Sequence, residues 1–158
     1  MITKLYEFLE LDKSYDYEDI TDDNGRFYTF GQLEYTFKAD DDETYWVHLM
    51  THKESNTISN ICWANYKDSI KTSYIDEKTS KTININTLFK IINTVFKIVF
   101  DVMKKYEIGE ATIGSRNKSK YRVYKQAIEE EKDFKIITEW RGTSTYWMNF
   151  EYLKKNDS

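Results

Sequence analysis

The stretch "NTLFKIINTVFKIVFDVMKKY", residues 86–106, decides the fold. Lys90, Thr94, Lys97, Asp101 and Lys104 follow helical steps and form one narrow polar stripe. Leu88, Phe89, Ile91, Ile92, Val95, Phe96, Val99, Phe100 and Met103 fill most of the remaining surface. A helix with so little polar surface packs against neighbours on more than one side. The spacing therefore predicts a long central helix over Asn86–Tyr106. Lys90, Lys97 and Asp101 interrupt the most apolar segment of the chain, so it does not read as a membrane span.

Upstream of that helix the period falls to two. Phe27, Leu33, Tyr35 and Phe37 alternate with polar residues over Arg26–Lys38, as in a half-buried strand. Asn24-Gly25 before it is a hairpin signal. "ADDDE" is expected to form a charged turn, and Thr44–His52 resumes the alternation with Tyr45, Val47 and Leu49 on one face. A further strand is expected over Thr57–Tyr66. Ile2, Leu5, Tyr6 and Leu9 predict a short opening helix, and the polar connection after Tyr66 has room for a short strand around Tyr74 and Ile75.

Downstream, Gly109 is expected to end the helical region, and "EATIGS" reads as a short strand. A second helix follows, with Tyr121, Tyr124, Ala127 and Ile128 inward. "FKIITEW", "RGTS" and "TYWMNFEYL" then make a terminal hairpin turning at Gly142. The expected fold is one α+β (α/β) domain over residues 1–158, with a mainly antiparallel sheet, a long central helix and a C-terminal β-hairpin.

The bulk numbers agree. A chain of 158 residues, 40% hydrophobic and 32% charged, can bury a sizeable core. A net charge of −4 argues against coating nucleic acid. The lone Cys62 excludes an internal disulfide and suits a reducing compartment. "MITKLYEFLELDKS" lacks the apolar run of a secretory signal. Zero Pro with 13 Tyr and abundant Lys, Asn and Ile fits coding bias, and many of the aromatics fall where strands favour them.

Motifs for metal or nucleophilic chemistry do not develop. His48 and His52 are four apart, but on a strand that places them about 13 Å apart, too far for one zinc. Both are read as solvent-side. Asp22-Asp23 and Asp40–Glu43 lack the alternating ligands of a calcium loop. Cys62 has no basic neighbour in sequence and reads as a core residue. The chain carries no G-x-S-x-G, P-loop or dinucleotide fingerprint.

The second helix has its charges in an unusual order. Arg116, Lys118, Lys120, Arg122 and Lys125 precede Glu129, Glu130, Glu131 and Asp133. Both groups oppose the helix dipole, at a cost of a few tenths to about 1 kcal/mol each. One reading is a solvated surface with Lys125 and Glu129 spaced for a salt bridge. The other is an anion site at the helix start, where Arg116, Lys118, Lys120 and Arg122 would meet a phosphate, a nucleotide or an acidic partner.

The element order, meander, long helix, strand, helix and hairpin, resembles the Gcn5-related N-acetyltransferase (GNAT) fold. Members often carry an Asn at the start of the last helix and a Tyr seven residues on, the spacing of Asn117 and Tyr124. The resemblance implies that Tyr124 would protonate the leaving thiolate and Asn117 would orient acetyl-CoA. The family's glycine-rich pyrophosphate loop is missing, since no glycine lies between Gly31 and Gly109. Over Leu33–Phe134 the chain also resembles bacteriophage proteins with a GNAT-like core. "LEYTFKADDDETYWVHL", "LFKIINTVFKIVFDVMKKY", "EATIGS" and "SKYRVYKQAI" match their pieces in order, with Lys120 replacing an Arg.

These resemblances imply a non-catalytic phage protein in the virion or host cytoplasm. It would be a virion component or a binder of a host or viral protein, needing no cofactor and no membrane. A divergent acetyl-CoA-dependent N-acetyltransferase is the alternative. An anion- or nucleic-acid-binding module at the basic helix start is a further one.

Overall fold

The computed structural model describes residues 13–21, 31–66 and 84–154. Among the described residues, seven strands and two helices follow in the order β1 (Tyr17–Asp19), β2 (Gly31–Lys38), β3 (Thr44–His52), β4 (Thr57–Asn65), α1 (Ile85–Lys105), β5 (Glu110–Ser115), α2 (Lys118–Glu129), β6 (Phe134–Arg141) and β7 (Tyr146–Tyr152). The sheet order is β1-β2-β3-β4-β5-β7-β6. Every neighbouring pair is antiparallel except β4–β5. The protein is thus a mixed α/β structure with a mostly antiparallel seven-stranded sheet. The expected opening helix, the Asn24-Gly25 turn and the strand near Tyr74 lie outside the described residues. No described helix is long and apolar enough to cross a membrane.

The charged tip between β2 and β3 closes through its own acids. Ala39 N–H donates to the Glu43 carbonyl at 3.0 Å, and Asp41 accepts from Glu43 N–H and from the Tyr45 hydroxyl. The carboxylates replace a turn glycine by bonding local donors.

Alternation decides which face is covered. Leu33, Tyr35, Phe37, Tyr45, Val47, Leu49, Ile61, Trp63, Ala111, Ile113, Met148 and Phe150 form one core with α1 and α2. Each fully buried Ile or Phe here contributes roughly 1.5–3 kcal/mol. Phe100 of α1 packs its ring 4.2 Å from that of Phe134, and Phe96 lies 5.5 Å from Tyr124 of α2, so both helices ride on one face of the sheet. The polar stripe of α1 is narrower than its sequence implies. Thr94 is fully buried, where its hydroxyl accepts from Tyr15 N–H at 2.9 Å and donates to the Lys90 carbonyl at 2.8 Å.

The end of α1 corrects the expectation for Gly109. The chain reverses at Glu107, whose φ is 54°, and Ile108 N–H bonds back to the Met103 carbonyl at 2.9 Å. That closure, with Ile108 buried behind it, is a Schellman arrangement using Glu107 where glycine is commoner. Gly109 instead joins the sheet region, donating to the Asn56 carbonyl and accepting from Tyr152 N–H.

Two irregularities set the phase of the sheet. In β4, the β3 register slips so that Ser59 is an extra residue between Ile58 and Asn60. In β6, Ile137 is extra between Ile136 and Thr138. An inserted residue bends its strand and resets which side chains point inward. After Ile137, Glu139 and Arg141 turn toward the α2 side and Trp140 toward the other.

Candidate functional site

Beyond Ile58 the strands β4 and β5 stop pairing. Their parallel register comprises only Thr57↔Glu110 and Ile58↔Ala111, and the Ser59 bulge begins at that point. β5 leads directly into α2, whose N-cap Asn117 stands two residues beyond the strand's end. A crevice beyond the carboxyl ends of parallel strands is where ligands of such sheets commonly bind. This is therefore the candidate site.

Trp63 enters it from β4 and Tyr124 from α2. The Trp63 Nε1–H donates to the Tyr124 hydroxyl oxygen at 2.8 Å. Tyr124 is only 3% exposed, flanked by Phe96. Above the indole stands Lys120, with Nζ 5.2 Å from the Trp63 ring, a cation–π geometry. The indole is thus clasped between a phenol and an ammonium group.

Asn117 holds a different position. Its Oδ1 accepts from Lys120 N–H at 2.9 Å, and its own N–H donates to Ser115 Oγ at 3.1 Å. That is the geometry of an N-cap, which satisfies one of the orphan donors of the first turn. Asn84 does the same at α1, accepting from Asn86 N–H at 2.9 Å. Each helix start thus uses its own side chain where an anion would otherwise bind.

The basic cluster is divided. Lys120 turns back over the sheet, whereas Arg116, Lys118 and Arg122 are exposed. Lys125 does not bond Glu129 as its spacing suggested. It reaches Glu139 of β6 at 3.1 Å. The Tyr121 hydroxyl is 2.7 Å from Glu139 Oε1 and 3.1 Å from the Trp147 carbonyl, and it donates toward both. The Tyr121 hydrogen bond, then Lys125, holds the Glu139 carboxyl below the usual carboxylate range. Burial, followed by Glu139, pushes the Tyr121 phenol upward.

On the opposite face of the sheet, Glu34, His48 and Cys62 share one cross-strand row. His48 is not a solvent-side residue: its Nε2 is buried with no hydrogen-bond partner, and its ring stacks 5.0 Å from Trp46. Burial pushes the Cys62 thiol up to about 11, the value of an inert side chain. Among the described residues, no group of three or more His, Cys, Asp or Glu could hold a metal ion.

Sequence reasoning identified Tyr124 and missed its partner Trp63. The signal was present in the alternation of β4, where Ile61 and Trp63 share a phase, but the Ser59 insertion obscured it. Glu139 was hidden in the same way by Ile137.

No family model matches the chain, and no curated protein matches it. Among solved structures it is similar to one described as a "putative acetyltransferase from Agrobacterium tumefaciens". The two are 13% identical, the match covers 96% of this chain and 86% of that one, and the TM-score is 0.39. A likeness of that strength leaves the fold to rest on the chain's own topology.

Proposed function

We propose that this chain is a GNAT-like domain that does not transfer acetyl groups and acts by binding another protein, of viral or host origin. One observation carries the reading: the Tyr124 hydroxyl, the group that would serve as general acid, is buried and accepts the Trp63 indole proton. A proton donor for a leaving thiolate must reach the thiolate. Here the oxygen is instead bonded to the indole where the β4–β5 pairing ends, with both side chains in the core. The glycine-free approach to α1 supports the same reading, since close backbone approach to a diphosphate favours glycine.

Calorimetry with acetyl-CoA tests it. No heat of binding is expected at sub-millimolar ligand. Submicromolar affinity, together with acetylation of an amine that Tyr124→Phe abolishes, would establish the enzyme instead.

A further inference from the structure

We propose that β6 is the interface through which two copies of this chain pair, joining their sheets edge to edge about a two-fold axis at Thr138. Three observations on different elements carry it.

The first is the edge. Among the described residues β6 ends the sheet order, bonded only to β7, and Lys135 and Ile137–Arg141 are exposed. Ile137 is 42% and Trp140 46% exposed. Beside them runs an open groove of about 510 Å³, lined from α2 by Lys125 and Glu129 and from β6 by Phe134–Glu139. An unpaired edge presents N–H and C=O groups ready for another strand.

The second is register. Sheet extension about a two-fold axis requires opposed residues to share a face. With Ile137 as the extra residue, Phe134, Ile136, Glu139 and Arg141 share the α2 side, while Lys135, Thr138 and Trp140 share the other. An antiparallel match centred on Thr138 satisfies both sides. Lys135 then meets Trp140 of the second copy, a cation over an exposed indole. Phe134 meets Arg141, and Thr138 meets its own equivalent. Lys135, which by itself would deter edge pairing, becomes a contact.

The third is charge. α2 lies along β6 in the opposite direction, with Lys125 bonded to Glu139 and Glu129 at the Phe134 end of the groove. Across the axis the second α2 runs antiparallel to the first. The exposed basic turn of Lys118 and Arg122 then faces the exposed acidic turn of Glu129 and Glu130 of the second copy, and the reverse. Neither Arg122 nor Glu129 has an ion-pair partner among the described residues. Because α2 packs over β6 on one face, its two copies would flank the axis on the same face of the joined sheet. Charges that oppose the dipole within one helix become complementary between two.

Sedimentation equilibrium of the full chain tests the pairing. A dimer is expected, loosened at high salt. Arg122→Glu and Glu129→Arg should each weaken it about tenfold or more, and combining them in one chain should restore it, because the two reversals recreate the complement. Thr138→Arg, which sets two like charges on the axis, should give a monomer with unchanged far-ultraviolet circular dichroism. A chain that is monomeric at sub-millimolar concentration overturns the proposal. So does a dimer indifferent to these changes, one that the double reversal fails to restore, or an edge that pairs only with a different protein.

Discussion

The Trp63 indole N–H points into the Tyr124 hydroxyl across 2.8 Å, tying β4 to α2 where β4 and β5 have already separated. Tyr124→Phe should strand that buried donor and cost about 1–3 kcal/mol in urea unfolding. Adding Trp63→Phe removes the orphan, so the double variant should lose less than the sum of the singles. Additive losses would show that the bond contributes nothing.

Gly114 lies against the flat of Trp147: a Cβ built there would sit 2.5 Å from Trp147 Cε3. Gly114→Ala must therefore displace an indole that also stacks on Trp140. The expected loss is about 1–3 kcal/mol. Trp147→Leu in the Gly114→Ala background should recover part of it, as read by thermal melting.

His48 makes stability depend on acid. Burial lowers its pKa in the folded chain, and Glu34 raises it in partial compensation. The unfolded imidazole titrates near 6.5. Above that value both states are neutral and stability is unaffected. As pH falls through 6.5 the unfolded state takes up the proton first, so stability declines. His48→Phe should flatten the decline between pH 7 and 5 in denaturant titrations. An unchanged slope would assign the acid sensitivity elsewhere.

Cys62 should react slowly. With its thiol near 11, only about one molecule in a thousand is thiolate at pH 8, against roughly a quarter for an ordinary cysteine. Ellman's reagent should label the native chain far more slowly than the urea-unfolded chain. Equal rates would contradict the burial.

Most of the architecture was legible because it depends on local pattern. Thr44–His52 and Glu110–Ser115 match their expected bounds, and α1 is shifted by one residue at each end. These segments keep one period from start to finish. The misses share a cause that periodicity does not report. Thr94 looks polar in sequence, yet it is buried because a distant backbone donor, Tyr15 N–H, needs its oxygen. Lys125 is four residues from Glu129 but bonds Glu139, which the Ile137 insertion turns toward α2. The site itself was half visible. Tyr124 stood out through its spacing from Asn117, whereas Trp63 depends on a contact 61 residues away.

The single supernumerary residue at Ile137 gives β6 two inside–outside codes in its sequence, one on either side of it. Excising it would leave Glu139 and Arg141 facing α2, because Thr138 to Arg141 already pair with Asn149 to Tyr146 as though Ile137 were absent. Its deletion should thus straighten the strand without exchanging its two faces. In this hairpin the spare residue sets curvature, and the pairing itself holds each side chain to its side.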